Sequence, residues 1–515
     1  MVVNNVLVVG GGTAGWIVAS MLAKHLKAGS PDGIKVRLIE SPEINIIGVG
    51  EGTFPTMRDT LKSLGVAEGD FMRECNATFK QAIKFVDWER APSGHNHSYY
   101  YHLFTPPKRA SGIDLTSCWL AANKAHGTSY ASLVSLQGHV CDAGLGPKKI
   151  TTASYDGLLN YAYHLDAVKF TEFLRNFSTR HLGVENLRGT VRQVILRDDG
   201  AIDALLTDEY GELRADLYID CTGFGARLLG DALKVKFIDC RDTLFVDHAL
   251  VAQVPYEQEN SNIPCYTIST AHEAGWTWDI GLSHRRGVGY VYSSRHTTHE
   301  RAEQVLRHYL GDVTGQQAVR RIPMRVGYRE KFWEKNCVAI GLSSGFLEPL
   351  ESTALVMVEA AAQMLVDLFP RSEAAMPLVA KKFNGAFRYR WERIIDFVKL
   401  HYCISHRDDN LFWSDNRVQA SIPDSLQEKL ALWKMQTPTN HDFPSVYETF
   451  NLGSYQYVLY GMHYDTQLAH QGEAHQLLAQ QEFLNAANKI HQLKNTLPNH
   501  RSLIEKVYAH GFPPV

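Results

Sequence analysis

The residues Gly10-Gly11-Gly12-Thr13-Ala14-Gly15 fit the spacing G-x-G-x-x-G. At that spacing the first glycine permits a tight turn, and the second lets backbone approach a pyrophosphate. The third lets a helix pack closely on the strand before it. The N–H groups at the start of that helix then face the anion. Glu40 ends a second apolar run, KVRLIE (35–40), where a carboxylate can accept from ribose hydroxyls. A Gly-rich turn alone is a weak signal. With both strands, the helix and the acid, it predicts dinucleotide binding by Gly10, Gly12, Thr13, Ala14, Gly15 and Glu40.

The flanking elements carry the same message. NVLVVG (5–10) is a short, β-branched apolar run, as in a strand buried on both faces. In WIVASMLAKHLK (16–27), Ile17, Met21, Leu22 and Leu26 recur at helical spacing. Further on, 190–208 alternate as hairpin strands around Asp198-Asp199-Gly200. DLYIDC (216–221) and CVAIGL (337–342) read as strands, each followed by a Gly/Ser-rich turn and helical pattern. The stretch 240–330 reads as β-rich, and the chain beyond 353 as mostly helical, with Trp391, Ile394, Ile395, Val398 and Tyr402 on one helix face. No repeat or low-complexity linker marks a boundary. The expected fold is α/β: a Rossmann-like dinucleotide domain interleaved with a β-rich region over 1–365, then a mostly helical substrate-covering region over 366–515.

Composition narrows the class. The 515 residues are 45% hydrophobic and 21% charged, with net charge −3, which gives no overall pull toward nucleic acid or an acidic membrane surface. Eight cysteines without a CxxC suggest reduced thiols. No apolar run approaches the ~20 residues of a membrane helix, and no leader pattern is evident. These features lead to the expectation of a cytoplasmic protein with neither nucleic-acid nor membrane partner. A homodimer is compatible with the sequence. His463, His470 and His475 lack the spacing of a metal set and are expected on a solvated helix, so no metal is assigned.

FAD is favoured over NAD. Asp220-Cys221-Thr222-Gly223 closes a strand as flavoproteins do to cover their cofactor, and the turn at Leu342 is suited to a flavin ring. There is no second G-x-G-x-x-G for NADPH, so reducing equivalents are expected from a separate flavin reductase. Six further segments, all ahead of a YETF at 447–450, then follow in order: IGVGEGTFP (47–55), CNATFKQAIKFVDW (75–88), YAYHLDA (161–167), GWTWDI (275–280), IGLSSGFLEPLEST (340–353) and HYCISHRDDNLFW (401–413). With the opening GGGTAGW, they resemble the flavin-dependent tryptophan halogenases, to about residue 415.

The resemblance implies reduced FAD, O2 and a halide (chloride or bromide), with hypohalous acid as the oxidised halogen. It also implies that Gly50 lies in a flavin strap. Lys80 occupies the family's position for the amine that holds and aims the halogen; the bland alternative is a lysine, Lys80 or Lys84, snorkelling from a helix. Glu351 matches the family's catalytic acid, able to stabilise a cationic arene intermediate and take its proton; Glu348, three residues earlier, is the alternative. Thr353 and Ala354, opening a helix, match the halide site, although the family usually has Gly at the latter. Gly281 stands where the GWTWDI signature continues with Pro, and Trp276 and Trp278 are expected to be structural.

His102 and Phe104 match positions flanking the substrate ring. The aromatic-rich insertion that holds the amino-acid end of tryptophan is not evident, because NLGSYQYVLYGM follows Phe450 at once. An indole rather than free tryptophan is therefore expected as the small aromatic substrate. A flavin monooxygenase and a non-catalytic flavoprotein are the competing readings. Neither requires both Lys80 and Glu351.

Overall fold

The computed structural model describes residues 2–43, 50–110, 113–126, 129–311, 318–467 and 473–513. Two compact units emerge, each assembled from three stretches of chain: 1–76, 165–240 and 324–391 form one, and 77–164, 241–323 and 392–515 the other. The sequence places a single boundary near 365. The chain instead crosses between the units five times, at 76/77, 164/165, 240/241, 323/324 and 391/392, the last within the helix Met376–Cys403. Interleaving of this kind arises because neighbouring sheet strands come from distant parts of the chain.

The first unit holds a six-stranded sheet in the order Glu185–Arg188, Lys35–Glu40, Asn5–Val9, Leu217–Asp220, Cys337–Ala339, Trp333–Glu334. All pairings are parallel except the last. Asn5–Val9 is central because Val6, Leu7 and Val8 are fully buried, as a parallel strand covered on both faces requires. The helix Thr13–His25 covers it, burying Trp16 through Ala23. The hairpin Val191–Leu196/Ile202–Thr207 forms as its turn chemistry dictates, with Gly200 at φ 81°.

The second unit is built on a seven-stranded sheet: Arg320–Pro323, His248–Pro255, Arg285–Tyr292, Gly275–Gly281, Thr267–His272, Ala82–Val86, Tyr99–Leu103. It is antiparallel except where Thr267–His272 meets Ala82–Val86. Gly275–Gly281 is buried along its length. Trp278 lies opposite Gly289, where any Cβ would stand 2.1 Å from the indole. Trp276 packs 6.1 Å from the ring of Trp88. Both tryptophans therefore fill the core of this unit.

All eight cysteines are unpaired thiols. Among the described residues no helix is long and apolar enough to cross a membrane.

The glycine turn tolerates no side chain at Gly15, where a Cβ would lie 1.9 Å from the Gly10 carbonyl oxygen. Gly15→Ala is expected to destabilise the protein by about 2 kcal/mol, as forced overpacking does. Denaturant unfolding measures the loss.

Candidate functional site

In the first unit the three glycines of the turn do different work. Gly10 adopts φ 115°, and a Cβ there would meet the Cys221 carbonyl oxygen at 2.2 Å. Gly12 faces open space, with nothing within 4 Å of its Cβ position, and no side chain caps the helix it starts. That is a cradle in which a pyrophosphate can touch backbone. Gly11, which the motif treats as arbitrary, is required as well, because a Cβ would come 2.0 Å from Glu40 Oε2. Glu40 is itself oriented: its Oε1 accepts from Asn186 Nδ2 at 3.1 Å and pairs with Arg175 Nε at 3.1 Å.

Several residues expected to bind the cofactor are committed to the protein through their side chains. Asp220 is fully buried, and its Oδ1 accepts from Thr222 N–H and O–H. Its Oδ2 accepts from the amides of Leu228 and Leu229. Burial raises its pKa while these four donors pull it down. Asp220 thus shapes the turn after its strand instead of offering free lone pairs. Thr171 donates to the Ala167 carbonyl, so the 3.0 Å contact between hydroxyls has Thr13 donating to Thr171. Ala14 packs on the turn Gly341–Ser343, where a Cβ at Gly341 would sit 2.7 Å from its own. Any contact of Thr13 or Ala14 with an anion is therefore through backbone. Leu342 is half-buried on that turn, which Ser343 ties down by donating to the carbonyls of Asp220 and Ile340. Gly50 is buried at the start of Gly50–Gly52; positions 47–49 of the strap segment lie outside the described residues.

Glu348 and Glu351 are both buried, at 1% exposure. Glu351 (φ 65°) and Ser352 (φ 55°) are consecutive left-handed residues with a Cβ. Each costs of order 1–2 kcal/mol, and such strain collects at functional sites. The helix Thr353–Asp367 follows, and the side chain of its N-cap residue, Ser352, makes no cap hydrogen bond. Thr353 is buried and Ala354 exposed on its first turn. Ala354 has ordinary helical geometry, so the methyl in place of the family's Gly causes no strain. A third acid, Glu359, was missed from sequence because it reads as one polar position on an apolar helix. It accepts from Thr60 Oγ1 at 2.5 Å and Thr56 Oγ1 at 3.1 Å. Burial pushes its pKa up to about 7.

In the second unit Lys80 ends the short strand Thr78–Lys80 and is fully buried, so neither the helix nor the snorkelling of the bland alternative holds. Lys84 also lies on a strand, its ammonium 3.8 Å from the Tyr99 ring centroid. Lys80 Nζ stands 5.2 Å over the ring of Phe104, within cation–π range. Phe104 is fixed through its backbone, donating to Gln81 and accepting from Asn160 Nδ2 at 2.9 Å. The His102 ring lies 5.8 Å from Phe397 and 6.3 Å from Phe450. Phe450 is buried, stacked 3.8 Å from Phe397, and Asn451 directly caps the helix Leu452–Gly461. No residues separate the YETF segment from that helix cap. Gly281 leaves no room for a Cβ against Ile263 and Tyr256, and its carbonyl accepts from Thr78 Oγ1 at 2.6 Å. This packing explains the glycine where the family has proline.

Lys80, His102 and Phe104 thus share the second unit. The glycine turn, Glu40, Gly50, Asp220, Leu342, Glu351, Thr353 and Ala354 belong to the first. Among the described residues no His/Cys/Asp/Glu group could hold a metal ion. His463 is not on a solvated helix: it follows Leu452–Gly461 at φ 54° and pairs with Glu89 at 3.2 Å. His470 lies outside the described residues, and His475 falls within the helix Glu473–Thr496.

A family model described as tryptophan halogenase matches residues 5–476. The tryptophan 6-halogenase SttH of Streptomyces toxytricini is 37% identical over 479 residues, 89% of each chain. The tryptophan 7-halogenase RebH of Lentzea aerocolonigenes is 34% identical over 87% of this chain and 86% of its own. Among solved structures, a tryptophan halogenase from Shewanella frigidimarina superposes with TM-score 0.95 at 42% identity, covering 100% of this chain and 99% of that one.

The Glu359 carboxyl binds its proton more tightly folded than unfolded. Its contribution is therefore undiminished below about pH 4.5 and lost as pH rises toward 7. Glu359→Gln is expected to flatten the stability–pH profile across that window and to stabilise the protein at pH 8, by up to about 3 kcal/mol. Thermal melts from pH 4 to 8 test this; Glu51, also raised to about 7 by burial, leaves a residual slope.

Proposed function

Because the chain belongs to the tryptophan halogenase family and is a flavin-dependent halogenase of an aromatic substrate, we propose that Lys80 and Glu351 are its catalytic residues and that an indole, rather than free tryptophan, is the arene. The observation that carries the two assignments is the burial of each group in its own unit, one beside the aromatic Phe104 and the other on strained backbone. FAD fits the open cradle at Gly12. The amides at Thr13, Ala14 and Gly15 would meet its pyrophosphate, Glu40 its ribose, and Gly50 and the Leu342 turn its ring. When bound and reduced, it supplies with O2 the equivalent that turns halide into hypohalous acid. A separate flavin reductase would regenerate it, in the cytoplasm. Thr353 and Ala354 would hold chloride or bromide at the start of their helix.

Lys80 then gives the halogen a direction. The neutral amine and hypohalous acid form a haloamine and water, or the ammonium holds the acid by hydrogen bonding. The arene takes the halogen, and Glu351 accepts the ring proton. His102 and Phe104 flank the ring. Phe450 is buried against Phe397 and followed at once by a helix cap, so this segment supplies no clamp for a carboxylate and an ammonium. Leaving those charges partly desolvated and unpaired is costly.

Lys80→Ala is expected to abolish arene halogenation while flavin binding and oxidation persist. Glu351→Gln should slow halogenation by on the order of 10²-fold. Mass spectrometry of product and flavin absorbance read both. A near-normal Glu351→Gln rate would move the role to Glu348. In competition, indole should be consumed ahead of tryptophan, with halogen at C3, the most electron-rich carbon. Efficient single-site halogenation of tryptophan's benzene ring, seen by product NMR, would overturn the substrate assignment.

A further inference from the structure

The strand Thr78–Lys80 is three residues long and lies at the edge of its sheet, paired among the described residues only with Ala162–Asp166. A buried edge leaves backbone donors that need acceptors from elsewhere. For the amide of Phe79, immediately before Lys80, the acceptor is a side chain. Phe79 N–H donates to His500 Nε2 at 3.2 Å. His500 opens the C-terminal helix His500–His510 and is 1% exposed.

The other ring nitrogen fixes the tautomer. His500 Nδ1 lies 2.8 Å from the Ile263 carbonyl oxygen, which can only accept, so Nδ1 carries the proton and Nε2 keeps its lone pair. Burial holds the His500 pKa down to about 4, outweighing the upward pull of the Ile263 hydrogen bond, with the Arg501 cation adding to the lowering, so the imidazole stays neutral near pH 7. On the opposite strand the fully buried His164 is kept neutral too, chiefly by burial, with the Lys80 cation pushing the same way. Its Nε2 meets Thr267 Oγ1 at 2.8 Å. On either side of Phe79 the strand is held through Thr78 Oγ1 on the Gly281 carbonyl and Gln81 N–H on the Cys265 carbonyl. The Gln81 bond fixes the peptide that follows Lys80, and the His500 bond fixes the Thr78–Phe79 peptide ahead of it.

We propose that His500 is a positioning residue for Lys80: its neutral imidazole, braced on Ile263, sets the Phe79 peptide and with it the direction of the Lys80 ammonium. The inference rests on Lys80 being the halogen-directing amine. A misplacement of ~1 Å at a reacting group costs on the order of 10²-fold in rate, so a looser strand should lower turnover without weakening substrate or flavin binding.

The test uses the full chain with FAD, a flavin reductase, bromide and indole. His500→Leu removes both bonds, His500→Gln keeps an acceptor near the Nε2 position, and His500→Asn keeps a group only near Nδ1. Expected for H500L is a fall of tenfold or more in kcat for bromoindole. KM, FAD affinity and bromination of a freely diffusing halogen trap should stay within twofold, and H500Q should recover most of the loss. A folded H500L with kcat within twofold of the parent overturns the proposal, as does H500Q no better than H500L. Should H500L fail to fold, H500Q above H500N by fivefold or more supports the proposal and their equivalence overturns it. Lys80→Ala in the same assay separates the premises: if it still makes bromoindole, the reading of Lys80 fails; if it is inactive while H500L is normal, only the positioning role fails.

Discussion

Taking an ionisable group out of water costs several kcal/mol unless the protein supplies partners, and this chain hides many such groups. Lys80, Asp220, His164 and Lys399 are fully buried, and Glu348, Glu351 and His500 are 1% exposed. Much of the architecture is explained by the need to hold them. Asp220 is surrounded by four donors, and Lys399 donates to the Thr243 carbonyl and to Asn416 Oδ1 at 2.7 Å. The two histidines beside the Lys80 strand escape the cost by staying neutral. A neutral imidazole can still accept a hydrogen bond, which a protonated one cannot.

The same constraint makes the backbone rigid where the chemistry is expected. The left-handed pair Glu351-Ser352 persists because its neighbours hold it. Ahead of it, Arg329 donates to the carbonyls of Ser343 and Val235, fixing the turn on which Leu342 sits. Behind it, Glu359 ties the helix Thr353–Asp367 to Thr56 and Thr60, just after the strand Gly50–Gly52. Strain stored between two anchored segments cannot relax by moving either one.

Aromatic packing does the equivalent work in the second unit. Phe397 stacks on Phe450, meets the edge of Tyr455 at 4.8 Å, and faces His102. Tyr457 donates to the Thr105 carbonyl at 2.7 Å. His102 is thereby carried on a stiff aromatic wall.

The sequence by itself determined the glycine turn with its strand, helix and Glu40, the hairpin at Gly200 and the buried face of Met376–Cys403. These depend on periodicity and turn chemistry within a few residues. The family motifs extended that reading to Lys80 and Glu351. Only the tertiary structure decided what the buried polar groups touch. Gly11 is obligatory because Glu40 folds over it, and Thr13 turns to Thr171 instead of outward. Glu359 meets Thr60 across 299 positions, and His500 meets Phe79 across 421. His164 was in plain view within YAYHLDA, yet nothing in that segment says which cation lies beside it. A hydrogen bond between such distant residues leaves no period in the sequence, since neither partner shows its mate until the fold brings the two within hydrogen-bonding distance.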